Sequence, residues 1–82
     1  IRRVVMRKST AFMHIINSIG DSIDMMSARI VIENCLESEL ITKDTARVMY
    51  AALSNNVMRS VPVVFQDSFR AAILKEMLLV QI

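Results

Sequence analysis

Residues 40–56 read Leu-Ile-Thr-Lys-Asp-Thr-Ala-Arg-Val-Met-Tyr-Ala-Ala-Leu-Ser-Asn-Asn, and this stretch decides the fold class. Thr42 follows two apolar residues, so a hydroxyl stands where a helix N-cap accepts a backbone N–H. Asp44 then falls in the first turn, at the positive end of the helix dipole. Ala46, Met49, Tyr50 and Leu53 recur at i, i+3, i+4 and i+7, which puts them on one face of that helix. Ser54-Asn55-Asn56 closes it, since asparagine tolerates the left-handed conformation.

Upstream, Ile1, Val5, Phe12, Ile16 and Ile19 keep helical spacing, with Val4 and Ile15 widening the stripe. Ser9-Thr10 divides this run into an arm and a capped helix over 10–19, and Gly20 fits the residue just past a helix end. Asp21 or Ser22 is expected to cap a second helix, with Ile23, Met26 and Ile30 on its buried side, joined by Val31 and Cys35. Downstream, Val57 to Val61 reads as a short helical turn or a connector. Ser60-Val61-Pro62 reads as a cap and a first-turn proline for a last helix. Phe65, Phe69, Ile73 and Met77 recur every four residues, joined by Ala72 and Val80, and read as that helix's core stripe.

Strands fare poorly. Strict alternation is almost absent, no Asn-Gly or Asp-Gly turn occurs, and one Gly and one Pro in 82 residues cannot supply the turns of a sheet. The expectation is an all-α fold: a small bundle of four helices, five if Val57–Val61 counts, in orthogonal or up-down packing. Residues 1–82 read as a single helical domain, and a start on Ile reads as a fragment of a longer protein.

Composition points to contact. Hydrophobic residues make up 54% of the chain. A 9.3 kDa domain buries only about 63% of the surface of its extended chain. Part of the apolar complement is therefore left for another chain. The seven Met, adaptable thioethers, fit that use. Met25, Met26 and Ile32 on the second helix and Leu74, Leu78 and Leu79 on the last fall off the assigned core stripes, so these six are the candidate interface.

The net charge of +2 conceals an uneven layout. Arg2, Arg3, Arg7 and Lys8 form a basic start, while acids outnumber bases between Asp21 and Asp44. Four cations can neutralise a few phosphates or meet an acidic partner, without sequence specificity. Aromatic interleaving for base stacking is missing there. Arg47, Arg59 and Arg70 offer a second basic group that nothing in the sequence forces together.

Catalytic constellations do not assemble. His14 is the sole histidine and has no nucleophile or acid at a recognisable spacing. Cys35, late in its helix between Glu33 and Glu37, is the reverse of an activated thiol. Two Cys and His residues in total cannot make a zinc site, and the acids lack calcium-loop spacing. No enzyme, metal or cofactor is expected. A lone cysteine, no signal-peptide pattern and no apolar run of ~20 residues exclude a disulfide scaffold and a membrane span, and imply intracellular, not secreted, life.

The stretch Val31 to Val48, with Leu36, Leu40-Ile41-Thr42 and Val48, is similar in pattern to the second-to-third helix junction of caspase-recruitment domains. It equally resembles the helical hairpin in the small subunit of a general transcription factor of the TFIIA type. Both likenesses rest on apolar helix, polar turn, threonine cap and apolar helix, and no functional residue is carried over. The leading expectation is a protein–protein interaction or oligomerisation domain, its partner a second copy in a homodimer. The alternative is a small basic helical domain that associates with nucleic acid.

Overall fold

Thr42 caps its helix as its position predicts: its Oγ1 accepts the Thr45 N–H at 3.2 Å. In the computed structural model the described residues are 7–82. They form α1 (Lys8–Ser18), α2 (Met25–Glu37), α3 (Lys43–Ala52) and α4 (Val63–Val80), with a 3-10 turn, Val57–Ser60, before α4. No strand occurs among the described residues. Ser18, Ile19, Ser22 and Asp24 share a groove with Asp67, so α1 ends and α2 begins beside the start of α4. Thr45, Val48 and Met49 line another with Met77 and Val80, so α3 begins beside the end of α4. Successive helices thus alternate in direction within one small bundle.

Three boundaries differ from the sequence expectation. At α1, the Ala11 N–H already reaches the Arg7 carbonyl at 2.9 Å, so the helix is under way before Ser9 and Thr10. At α2, Asp24 is the cap, not Asp21 or Ser22, and its Oδ1 accepts the Ser27 N–H at 2.7 Å. The cause is tertiary: the Ile23 N–H donates to the Asp67 carbonyl at 3.1 Å, holding the chain extended until it has crossed α4. At α4, Pro62 itself occupies the cap position, with ψ 139°. Gln66 Nε2 donates to the Met58 and Val61 carbonyls, both at 3.1 Å, and locks the 3-10 turn against α4.

Two helices also face differently. α2 buries Ala28, Ile32 and Cys35, while Met26 and Ile30 are exposed. α4 buries Ala71, Leu74 and Leu78, while Phe65, Phe69 and Val80 are exposed and Ile73 and Met77 are half-buried. The stripes chosen from spacing lie roughly a quarter-turn or more from the true core faces. Phe12, Met49 and Leu53 complete the centre, all fully buried.

Two details set stability. α2 ends in a Schellman motif: Leu40 N–H bonds the Cys35 carbonyl at 2.9 Å and Glu39 N–H bonds that of Leu36 at 3.1 Å. Glu39 stands at φ 59°, the left-handed position that glycine occupies at lower cost. On α4, buried Arg70 donates Nε to the Leu53 carbonyl at 3.1 Å, Nη1 to Asp67 Oδ1 at 3.1 Å and Nη2 to Asn55 Oδ1 at 2.6 Å. Its fork satisfies the end of α3 and the following turn at once.

Glu39→Gly is expected to raise stability by about 0.5–1 kcal/mol in urea unfolding at fixed protein concentration. Arg70→Lys, which keeps the charge but not the fork, is expected to cost about 2–4 kcal/mol in the same assay. Arg47→Ala, which breaks only an exposed pair with Asp44, serves as a control with a change of roughly 0.5 kcal/mol or less.

Candidate functional site

At 3.6 residues per turn, Phe65, Phe69, Ala72 and Leu79 fall within about 80° of arc on α4, roughly opposite Leu74 and Leu78. The exposures follow that division. Leu74 and Leu78 are 0% exposed, against 56% for Phe65, 49% for Phe69 and 45% for Leu79. Ala72 is exposed between them, and Phe65, Ser68, Phe69 and Ala72 line a shallow groove belonging to α4 alone. One helix therefore carries apolar side chains on opposite sides, and the bundle covers only one of them. A helix that is apolar all round is at home where both sides are buried.

The sequence-predicted interface residues are divided by the structure. Met26 and Leu79 are exposed, and Met25 is half-buried against the core. Ile32, Leu74 and Leu78 are fully buried within the monomer, so they hold the bundle together and are not available to a partner. Phe65 and Phe69, assigned to the core from spacing, are the side chains left uncovered. No local signal finds them: Arg70, whose charge suggests an outward face, is held inward by contacts with Leu53 and Asn55 that only the fold creates.

Two smaller apolar surfaces exist. Val48 and Val80 flank the groove between α3 and α4, and Ile30 borders the groove at the α1–α2 link. Both are lined in part by acids, Asp44 in one and Asp24 and Asp67 in the other.

Arg7 and Lys8 are exposed at the start of α1, with Lys8 Nζ 6.0 Å from the centre of the Phe12 ring. Arg2 and Arg3 lie outside the described residues. The second basic group does not assemble: Arg70 is buried, Arg47 pairs with Asp44, and Arg59 donates to Asn56 Oδ1 at 3.1 Å. His14 is exposed on α1 and Cys35 is buried in α2. Among the described residues, no group of three or more His, Cys, Asp or Glu is placed to hold a metal ion. No helix there is long and apolar enough to cross a membrane.

Burial pushes the Cys35 thiol up from its ordinary pKa. The Asp24 carboxyl is held below its usual range, chiefly by the Ser27 backbone N–H and side chain, with the Arg70 charge adding. Burial raises the Tyr50 phenol, and Glu33 adds to it.

Comparison with known proteins gives a family match and a structural one. The family model described as the CtsR C-terminal dimerization domain matches residues 7–79. It is neither of the families that residues 31–48 resemble in pattern. A solved structure of CtsR in complex with a 26-base-pair DNA duplex is similar in fold, with a TM-score of 0.84 and 23% identity. The match covers 96% of this chain and 51% of that one, so this chain spans about half its length. No curated protein matches significantly.

The raised Cys35 pKa makes stability depend on pH. The buried neutral thiol adds to stability below the ordinary thiol pKa, and this contribution fades as pH rises through the higher folded value. In the folded chain at pH 8, Cys35 is expected to resist a thiol-specific reagent and to react at the rate of a free thiol once urea unfolds it. Fast labelling without denaturant would contradict the burial.

Proposed function

Matched by the family model over residues 7–79, the chain belongs to the CtsR C-terminal dimerization domain family, and from that premise we propose that it joins two copies of a longer DNA-binding protein. The domain is an oligomerisation domain that acts by self-association. The observation that carries its role in this chain is the uncovered apolar face of α4. Covering Phe65, Phe69 and Leu79 on two copies removes apolar area from water at ~25 cal/mol per Å².

DNA enters through the relative that this chain half spans, which was solved with a DNA duplex. A dimer presents two reading surfaces on one duplex, so binding by the first raises the effective concentration of the second. Arg7 and Lys8, exposed at the start of α1, and Arg2 and Arg3 before them, are suited to phosphate contacts where the rest of the protein joins. Nothing in such a role calls for a catalytic step, and none is assigned: Cys35 is buried and its thiol is held protonated. A DNA partner is consistent with an intracellular setting.

On sedimentation at micromolar concentration the 82-residue chain is expected to run as a dimer, and its melting temperature to rise with protein concentration. Salt is expected to leave the dimer unchanged or strengthen it. Replacing Arg2, Arg3, Arg7 and Lys8 together by Ala is expected to keep the dimer and, in the longer protein, to weaken DNA binding with a shallower salt dependence. A monomeric mass with a concentration-independent melt would defeat the self-association reading. An unchanged salt slope would remove the basic start from the DNA contacts.

A further inference from the structure

We infer that the two copies meet α4 against α4, antiparallel, across a two-fold axis that passes beside Ala72. This rests on the self-association reading and adds to it the surface and the arrangement. Phe65 and Leu79 stand seven residues to either side of Ala72, about 10 Å along the helix in each direction. The strip is thus large, small, large. A two-fold axis at the small residue lets the backbones approach at Ala72 and lays Phe65 of each copy over Leu79 of the other, twice.

Charge selects the antiparallel direction. Glu76 is the one ionised side chain within the strip, exposed between Ala72 and Leu79. A parallel pairing would set Glu76 against its own copy, with two carboxylates facing each other in an interface. The antiparallel pairing keeps them about 12 Å apart along the axis and brings each level with the Ser68 hydroxyl of the second copy, which can donate to it. Two half-covered Phe rings leave on the order of 200 Å² open per chain, and Leu79 and the stems of Lys75 and Glu76 add to the part of the ~800 Å² per partner that this strip supplies. An isologous contact closes on itself and leaves no repeating edge for fibres.

Engineered cysteines test this on the 82-residue chain, with the wild type, whose Cys35 is buried, as control. Under mild oxidant Ala72→Cys is expected to form an intermolecular disulfide, its Cα atoms lying within the ~7 Å such a bond spans. Phe65→Cys is expected not to link to itself, its copies standing about 21 Å apart along the axis, but to link when mixed with Leu79→Cys. Phe69→Asp is expected to sediment as a monomer and to keep the helical circular dichroism of the wild type. Phe65→Cys linking to itself would show a parallel pair and overturn the arrangement. A dimer that survives Phe69→Asp, or one that Val48→Asp breaks instead, would move the interface off this face while leaving self-association intact. A wild-type monomer would overturn both.

Discussion

Helix α4 carries apolar side chains around most of its circumference, and the described residues supply three other helices, which cover one side of it. That constraint governs the rest. The covered side supplies Leu74 and Leu78 to the core, fully buried with Ile32 of α2 and Met49 of α3. The other side keeps two phenylalanines in water, which a monomer can tolerate only at a loss of burial that a partner recovers. Under the proposed α4 pairing, folding and association draw on the same helix: its inward half defines the bundle and its outward half meets the second copy.

What fixes which half faces inward is a small polar assembly at the start of α4. The Asp67 carbonyl receives the Ile23 N–H, and its carboxylate receives Arg70 Nη1. Arg70 reaches on to the Leu53 carbonyl and to Asn55. The α1–α2 link and the α3–α4 turn are thereby tied to adjacent turns of one helix. A rotation of α4 by one residue would leave a buried guanidinium and a helix-end carbonyl without partners, which costs more than any single apolar contact there returns. The phase that turns this strip outward is held by polar groups as well as by packing.

The sequence made local features readable and tertiary ones not. Thr42 and the face of α3 were legible because an N-cap and its helix face are set within a few residues. The start of α2 was not: Asp21, Ser22 and Asp24 can each cap, and the choice falls to a hydrogen bond with Asp67, more than forty residues away. The phase of α4 was misread for a related reason. A helix that is apolar on two sides has no unique stripe, and the two Phe residues draw attention by size to the side that is exposed. The surplus of apolar residues was legible from composition, and so was self-association. Ile32, Leu74 and Leu78 went to the wrong side because the core stripes were assigned first and the remainder became the interface.

The direction of α1 gives the proposed α4 pairing a consequence for the proposed longer protein. α1 ends beside Asp67 and runs against α4, so Lys8, ten residues back, lies about 15 Å further along, toward the C-terminal end of α4. Two copies related by an axis at Ala72 then begin their α1 helices toward opposite ends of the α4 pair. In the proposed longer protein, a segment joined to α1 would then enter from opposite directions along the pair. Two-fold DNA readers place their recognition elements about 34 Å apart, one helical turn, on a single duplex. Under the proposed pairing the two Lys8 positions are offset by about 15 Å along the helices, less than half of that spacing. The rest of the separation has to come from across the pair or from what joins α1 to a reading element.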